Sequence, residues 1–283
     1  MAVTAPGGVL AHIRSLLPSL LPTERAVAAV FLDRAGDVVE MSSQQVAEVA
    51  GASRATVVRT AQSLGFSGYQ QLRVLLARDA GPAAVPHAAP DTPGAMVAST
   101  FAHVGASVPA MVALLDHADV ARVVDLLATA GRVLVVGNGL SAPLAVDAAA
   151  RMVGIGRHAE APLDVISQQV SARQLGAGDA LLVISGSGAN QSSVRAAEAA
   201  RQSGATVVLV TAFGRSPLVA HADIALVVGM PDLTFRDELT LTSRVPQVIL
   251  LEGLLAALTE RLGAPAATAA ALTLEVISAN LAD

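Results

Sequence analysis

Residues 180–200, ALLVISGSGANQSSVRAAEAA, decide the fold of the larger part of this chain. Ala180–Ile184 is a short apolar run rich in branched residues, which predicts a buried parallel strand. The positions after it carry small or polar side chains, and from Val194 the alanines predict a helix that ends at Ser203-Gly204. A strand that leads through a hydroxyl-rich loop into a helix favours an anion, because backbone N–H groups and the helix dipole attract negative charge. We therefore expect a phosphate-bearing small molecule at this loop.

Two other interpretations of the same loop can be compared with a phosphate site. A serine- and glycine-rich turn that binds nothing remains an open alternative. A P-loop does not fit, because no Gly-Lys-Ser/Thr follows the glycines and the chain contains no lysine.

Strand-like runs alternate with helical runs over residues 132–228, which predicts an α/β fold whose parallel sheet is covered on both faces. The predicted strands are Arg132–Val136, Arg157–Glu160, Ala180–Ile184, Thr206–Val210 and Asp223–Val228. The predicted helices are Ala142–Val153, one at Ala172 or slightly before it, Ser193–Ser203 and Ser216–His221. Ligands of such sheets bind outside the carboxyl ends of the strands.

A second loop, Gly137–Ser141 (GNGLS), follows the first of these strands. Because the carboxyl ends of parallel strands meet at one edge, we expect this loop to face the Ser185–Ser193 loop. Its two glycines and Ala142, with Glu160 about 20 residues later, also fit part of a dinucleotide-binding fingerprint. Three small residues are a weak match, and the fingerprint gives no reason for a second serine-rich loop. We therefore predict no cofactor.

Residues 42–72, SSQQVAEVAGASRATVVRTAQSLGFSGYQQL, are the most specific stretch of the N-terminal third. Ser42 and Gln45 form a capping box that opens a helix over Ser43–Ala50. Gly51-Ala52 predicts a tight turn, after which Ser53 caps a second helix, Arg54–Leu64. Two short helices around a glycine-containing turn predict a helix-turn-helix. Upstream, the pattern predicts helices over Val9–Leu21 and Pro22–Leu32 and a polar connection over Asp33–Met41.

The second helix of this motif has an apolar face with Val57, Val58, Ala61 and Leu64, and an uncharged polar face that carries one arginine. Such a polar face can enter the major groove of a double-stranded DNA operator. We expect Arg59 to contact guanine or phosphate and the hydroxyl groups to contact phosphates or base edges. The candidate DNA-binding residues are Ser53, Arg54, Thr56, Arg59, Thr60 and Ser63. An ordinary helical hairpin with a solvated polar face is the alternative.

Composition limits the remaining function classes. The chain has 283 residues, 53% of them hydrophobic but only 2% aromatic, so its core is built from Ala, Val and Leu. The absence of cysteine excludes disulfides and thiolate metal sites and fits a cytoplasmic protein. No uninterrupted apolar run reaches the ~18 residues of a membrane span. Residues 1–80 carry seven arginines against six acids and the remainder eleven against seventeen, a bias that suits an N-terminal DNA-binding region.

Four prolines over residues 79–94 predict an extended linker, which gives the domain organisation. Residues 1–78 form the helix-turn-helix domain and residues 95–130 the connecting helices, predicted as Ala95–Leu115 and Asp119–Thr129. Residues 131–262 form the α/β domain and residues 263–283 a helical C-terminal tail. His87 falls in the linker, and the other histidines have no suitably spaced partners for a metal site.

The order of these motifs resembles the RpiR-type transcriptional regulators. The N-terminal match consists of Thr23-Glu24-Arg25, Met41-Ser42, residues 55–59 (ATVVR) and residues 64–69 (LGFSGY). The two loops of the α/β domain are similar to those of the SIS (sugar isomerase) domain, as are Ser216-Pro217-Leu218, Ala222-Asp223, Ser243-Arg244 and Gln247. The resemblance implies a homodimer or homotetramer and a phosphosugar effector bound by Gly137, Asn138, Gly139, Ser141, Ser185, Gly186, Ser187, Gly188, Asn190 and Gln191. Ser141, Ser185, Ser187, Asn190 and Gln191 would hold the phosphate.

Three functions follow from this organisation. We predict a transcriptional regulator of sugar or amino-sugar metabolism that senses a phosphosugar, and not an enzyme. A phosphosugar isomerase is the catalytic alternative, with Glu252 as the base that removes a proton beside a carbonyl. However, Glu252 lies within a predicted surface helix, and no His or Lys is placed to act with it. A dimerising SIS fold that has lost its ligand is the structural alternative. The polar segment Gly229–Thr240 is predicted either to cover the ligand or to be a plain surface loop.

Overall fold

The computed structural model describes residues 8–79, 92–230, 234–240 and 243–281. The chain divides into an N-terminal unit of residues 1–93 and 232–242 and a C-terminal unit of residues 94–231 and 243–283. The predicted linker lies mostly on residues 80–91, and therefore outside the described residues, as does His87. Its two ends are helical instead, because Asp79 closes one helix and Pro93 opens the next.

The described part of the N-terminal unit is helical. Its first six helices are α1 (Gly8–Leu16), α2 (Pro22–Asp33), α3 (Ala35–Glu40), α4 (Ser43–Ala50), α5 (Arg54–Ser63) and α6 (Tyr69–Asp79). Their shared core contains the fully buried side chains of Ile13, Phe31, Leu64 and Leu72. The predicted polar connection over Asp33–Met41 is wrong, because α3 lies within it and Val38 and Val39 are buried in the core.

Both helices of the predicted helix-turn-helix are confirmed. The Ser42 hydroxyl accepts a hydrogen bond from the Gln45 backbone N–H, while the Gln45 side chain accepts one from the Ser42 N–H. Gly51 ends α4 with φ of 61°, a left-handed conformation that glycine adopts without steric cost. Ser53 then caps α5 by accepting from the Thr56 N–H.

Tyr69 joins α6 to α3. Its phenolic hydroxyl donates to the Val38 carbonyl at 2.9 Å and to the Met41 carbonyl at 3.0 Å, and its ring stacks on Phe31. Arg73, one turn further along α6, donates to the Val39 carbonyl at 2.9 Å. These bonds provide side-chain donors for carbonyls at the end of α3, where few helical N–H groups are available.

The N-terminal unit also contains a helix from much later in the chain, α12 (Phe235–Thr240). The Glu40 carboxylate accepts hydrogen bonds from the Phe235 N–H at 2.7 Å and the Arg236 N–H at 3.3 Å. The Arg73 guanidinium lies 3.5 Å from the centroid of the buried Phe235 ring, which is a cation–π geometry. The segment Gly229–Thr240, predicted either to cover the ligand or to be a plain surface loop, is thus partly a helix, and that helix packs on α3 and α6.

The C-terminal unit is the predicted parallel sheet with helices on both faces. Its five parallel strands stand in the order β2-β1-β3-β4-β5. The strands are β1 (Val133–Gly137), β2 (Ala159–Glu160), β3 (Ala180–Ile184), β4 (Thr206–Thr211) and β5 (Ile224–Val227). The helices are α7 (Pro93–Ala113), α8 (His117–Thr129), α9 (Ala142–Gly154), α10 (Val165–Arg173), α11 (Gln191–Gln202), α13 (Val245–Leu262) and α14 (Ala264–Ala279). The predicted helix Ser216–His221 is only a 3₁₀ turn, Leu218–His221.

Two hydrophobic cores lie on the two faces of the sheet. Leu182 and Ile184 of β3 face one core with α8, α9 and α13, whereas Leu181 and Val183 face the other with α10 and α11. Because every residue of β3 is buried, its sequence is continuously apolar, as expected for a parallel strand between two helical layers.

By length and composition α7 could cross a membrane, and so could α13 with α14 if that bent pair formed one span. The α13 side chains Leu251, Leu254 and Leu258 are buried against the sheet, so this part of α13 belongs to the core of the C-terminal unit. α14 is the predicted helix of the C-terminal tail.

We expect Tyr69 to resist ionisation in the folded protein. Burial raises the pKa of Tyr69, and the positive charge of Arg73 opposes this only in part. The phenol ionises near pH 10 in the unfolded chain, so its contribution to stability is complete below about pH 10 and is lost as the pH rises above that value. The absorbance of tyrosinate during alkaline titration measures this directly. Tyr69 is the only tyrosine, and the chain has no lysine or cysteine that would titrate in the same range.

The Tyr69→Phe variant is the control for this titration and should show no tyrosinate signal. Ionisation of the native protein near pH 10, before it unfolds, would contradict the burial of this hydroxyl.

Candidate functional site

Two loops meet at the carboxyl edge of the sheet. β1 and β3 are hydrogen-bonded neighbours, and their register pairs Gly137 with Ile184. The loop after β1, Gly137–Ser141, and the loop after β3, Ser185–Asn190, therefore start side by side, as the sequence predicted. All ten residues of the predicted phosphosugar set lie on these two loops or at the first position of α11.

Close packing shapes the first loop. A Cβ atom on Gly137 would lie 2.4 Å from the Ser141 carbonyl oxygen, so only glycine allows this approach. Gly139 has φ of 59°, and the following turn buries the Ser141 side chain. The Asn138 amide donates to the Gln168 side-chain oxygen and to the Ser193 hydroxyl, each at 2.9 Å. Asn138 therefore joins the first loop to α10 and to the first turn of α11.

The second loop forms a tight turn that is closed by a backbone hydrogen bond. The Gly188 N–H donates to the Ser185 carbonyl at 3.0 Å, and Gly188 has φ of 61°. Asn190 is the N-cap of α11, with its side-chain oxygen accepting from the Ser193 N–H at 3.1 Å. Ser185 is buried, Ser187 is half-buried, and Asn190 and Gln191 are exposed. The loop thus leads directly into the N-terminus of a 12-residue helix, where backbone N–H groups and the dipole favour an anion.

Four polar residues around these loops were missed as site residues by the sequence analysis. Gln168 and Ser193 brace Asn138, and Thr211 donates to the Gly186 carbonyl at 3.1 Å. The Ser216 hydroxyl is buried without a hydrogen-bond partner in the described part of the chain. It lies next to Gly188, since a Cβ atom on that glycine would be 2.1 Å from it. The sequence signal for Ser216 was its place in the SIS resemblance.

Glu252 is engaged in a surface ion pair. The Arg151 guanidinium donates to both of its carboxylate oxygens, at 2.6 and 2.7 Å, and the Glu252 side chain is 57% exposed. The hydrogen bond from Arg151 lowers the pKa of Glu252 below its ordinary value. A proton-abstracting carboxylate commonly has a raised pKa, and the ion pair with Arg151 shifts the pKa of Glu252 in the opposite direction.

Within the described ranges, no three His, Asp or Glu side chains are grouped so that they could hold a metal ion. His103 and His117 are both exposed on helices α7 and α8.

The candidate DNA-binding surface is the exposed face of α5. Arg54 and Arg59 have exposed side chains, and the Arg59 guanidinium lies 3.4 Å from the Thr56 hydroxyl. Ser53 and Thr56 also contact each other through their hydroxyls at 2.9 Å. These four residues present two cations and two hydroxyl groups on the first two turns of the second helix, which is the part of a helix-turn-helix that enters the major groove.

The assignment of Thr60 to the DNA-binding face is wrong. Thr60 is fully buried, and its hydroxyl donates to the Thr56 carbonyl one turn earlier. Its position, three residues after the buried Val57, places it on the core side of α5. Ser63 is exposed, but its hydroxyl donates to the Glu24 carboxylate of α2 at 2.8 Å, so it also links two helices of the unit.

Comparison with family models also gives an N-terminal and a C-terminal domain. Residues 7–82 match the helix-turn-helix domain of the rpiR family, and residues 126–257 match the SIS domain. The transcriptional regulator HexR of Pseudomonas aeruginosa is 34% identical over 259 residues, which cover 90% of each chain. A bifunctional protein glk from Paraburkholderia xenovorans is 29% identical, but the match covers only 41% of that longer protein.

Solved structures agree with this division. NanR of Vibrio vulnificus, in complex with ManNAc-6P, has a TM-score of 0.77 and 26% identity, with 97% of this chain and 100% of NanR covered. The sugar isomerase domain of an RpiR transcription factor from Sphaerobacter thermophilus, at 19% identity and a TM-score of 0.55, shares the fold.

We predict that Gly188→Ala destabilises the C-terminal unit far more than Gly139→Ala. Both glycines have φ near 60°, so alanine at either position costs about 1–2 kcal/mol of conformational strain. Only at Gly188 would the added methyl also meet a neighbour, the Ser216 side chain, which adds roughly 1–3 kcal/mol for overpacking. Urea unfolding of the two variants and the wild type measures the difference. Equal losses of stability would show that the second loop has room for a side chain.

Proposed function

Because the chain belongs to the RpiR family of helix-turn-helix regulators and carries a SIS domain, it is a DNA-binding transcriptional regulator, and we propose that the SIS domain senses a phosphosugar. The observation that carries this proposal is the pair of loops at one edge of the sheet, next to the N-terminus of α11. The similarity to NanR, whose structure holds ManNAc-6P, supports the same ligand class.

The phosphate would occupy the loop before α11. A phosphate group accepts hydrogen bonds only, and this loop offers backbone N–H groups together with the side chains of Ser185, Ser187 and Gln191. We propose that the buried Ser216 hydroxyl is a further donor, because it borders Gly188 and has no partner within the described residues. Ser141 belongs to the first loop, which starts at the same edge of the sheet.

The DNA contacts would come from Ser53, Arg54, Thr56 and Arg59. One such face carries few positive charges, so two copies bound to a near-palindromic operator would provide the affinity that one copy lacks. We therefore propose a homodimer or homotetramer that acts in the cytoplasm. The sugar phosphate must bind one arrangement of the subunits better than another in order to change operator affinity.

We propose that the chain does not isomerise its ligand. Glu252, the carboxylate that the sequence offered as a base, is held ionised by Arg151 on the surface of α13. The isomerase alternative predicts turnover of a hexose or pentose phosphate by the purified protein, which a coupled assay would detect.

Two variants should separate the two activities. Ser187→Ala should weaken phosphosugar binding about 10- to 100-fold, as expected for loss of a hydrogen bond to a charged group, and should leave operator affinity unchanged. Arg59→Ala should do the reverse, with a loss of about 1–3 kcal/mol in operator binding. Thermal shift and fluorescence anisotropy measure the two affinities.

Matched controls exist for both substitutions. Ser99→Ala removes an exposed α7 hydroxyl that bonds only within its own helix, and Arg34→Ala removes an exposed arginine that pairs with Asp37. Equal loss of both activities in either test variant would contradict the division of labour between the two domains.

The effector class itself can be identified by thermal shift against hexose, pentose and amino-sugar phosphates, with the unphosphorylated sugars as controls. A shift with a phosphosugar and not with its parent sugar is the expected result, because ligand that binds only the folded state raises its stability. No shift across the panel would leave the C-terminal unit as a dimerisation domain.

A further inference from the structure

Gln247 is a buried polar side chain whose hydrogen-bonding capacity is unused. It is 1% exposed, and neither its side-chain oxygen nor its amide nitrogen has a partner in the described part of the chain. Buried amides normally have their hydrogen bonds satisfied, so each exception needs an explanation. Gln168 shows the normal case, since it is equally buried and bonds to Asn138, the Gly137 carbonyl and the Pro162 carbonyl.

The position of Gln247 in α13 directs it towards the sheet. Gln247, Leu251, Leu254 and Leu258 recur at helical spacing and are all buried, and the three leucines belong to the core beneath α13. Gln247 thus stands at the N-terminal end of the stripe that faces the sheet. Pro246, next to it, lines one cavity together with Val228, which directly follows β5. The first turn of α13 therefore lies at the carboxyl edge of the sheet, the edge that carries both ligand loops.

The second loop presents its backbone to the α13 layer. Strand pairing continues past Ile184, with the Ser185 N–H bonded to the Val210 carbonyl and the Ala212 N–H bonded to the Gly186 carbonyl. Gly186 therefore lies on the same face as Leu182 and Ile184, which is the face covered by α13. A glycine at this position brings no side chain between the loop and the helix layer that holds Gln247.

We propose that Gln247 binds the sugar part of the effector through both atoms of its amide. This inference rests on the proposed phosphosugar site. An amide presents one acceptor and two donors, which match a neutral group that both donates and accepts, such as a sugar hydroxyl or an acetamido group. A phosphate dianion offers acceptors only, so it would bind the amide nitrogen of Gln247 and leave the buried amide oxygen without a partner. The two loops thus bind the phosphate of the effector, and Gln247 determines which sugar phosphates the site accepts.

Replacement of Gln247 should have opposite effects on folding and on binding. Gln247→Leu removes the unpartnered amide and keeps an apolar side chain of similar size, so the protein without ligand should unfold at a higher temperature than the wild type. The same variant should bind the best phosphosugar of the panel at least tenfold more weakly. Its weak affinity for inorganic phosphate should be unchanged, because the loops that hold phosphate are intact. Gln247→Met serves as a second, unbranched replacement if the leucine variant does not fold.

Gln168→Leu is the matched control for stability, because it removes an equally buried glutamine whose hydrogen bonds are made, and it should lower the unfolding temperature. Loss of stability in the Gln247 variants as well would overturn the interpretation of an unused amide.

The binding results distinguish this inference from the proposed function. Preferential loss of phosphosugar affinity over phosphate affinity supports the role of Gln247. Equal affinity of variant and wild type for the phosphosugar, or an equal loss for phosphosugar and inorganic phosphate, overturns that role alone. A wild-type protein that no phosphosugar of the panel stabilises overturns the proposed function, and the assignment of Gln247 with it.

Discussion

The hydrogen-bonded register between β1 and β3 is the constraint on which the candidate ligand site depends. It pairs Gly137 with Ile184, so two loops from distant parts of the chain begin at one edge of the sheet. Burial of both sheet faces fixes this register, because a slip by one residue would exchange the side chains of the two cores. The small side chains that follow each strand then allow the loops to turn tightly, and the second loop opens α11 with its dipole directed at the site.

Sequence patterns predicted the centre of the sheet well because β1, β3 and β4 are mostly buried apolar runs between turn residues, and β3 was found at the predicted residues. The same reasoning failed where burial depends on tertiary contacts. α3 contains acids and glycine, yet Val38 and Val39 make it part of the core. Thr60 has a polar side chain, but a bond to the carbonyl one turn earlier satisfies its hydroxyl and permits burial. The contact of Gln168 with the first loop and the burial of Gln247 depend on the packing of α10 and α13, although Gln247 was already part of the SIS resemblance.

The buried polar side chains of the C-terminal unit fall into two groups, those with hydrogen-bond partners and those without. Asn138, Gln168 and Ser193 form a closed network, so their hydrogen bonds maintain the shape of the loops. The Ser216 hydroxyl and the Gln247 amide are buried without partners in the described residues, and we propose that both bind the ligand. Glu252 belongs to neither set, since its ion pair with Arg151 lies on the surface of two helices.

The docking of α12 on α3 and α6 has a consequence for the modularity of this chain. A cut or a recombination event in the linker would separate residues 1–79 from α12. The N-terminal helices would then lose the Phe235 ring that contacts the Arg73 guanidinium, and the two backbone N–H groups that donate to the Glu40 carboxylate. The DNA-binding unit is therefore not a single continuous module of sequence. Exchange of this unit between regulators would have to transfer the short segment around Phe235 together with the N-terminal helices.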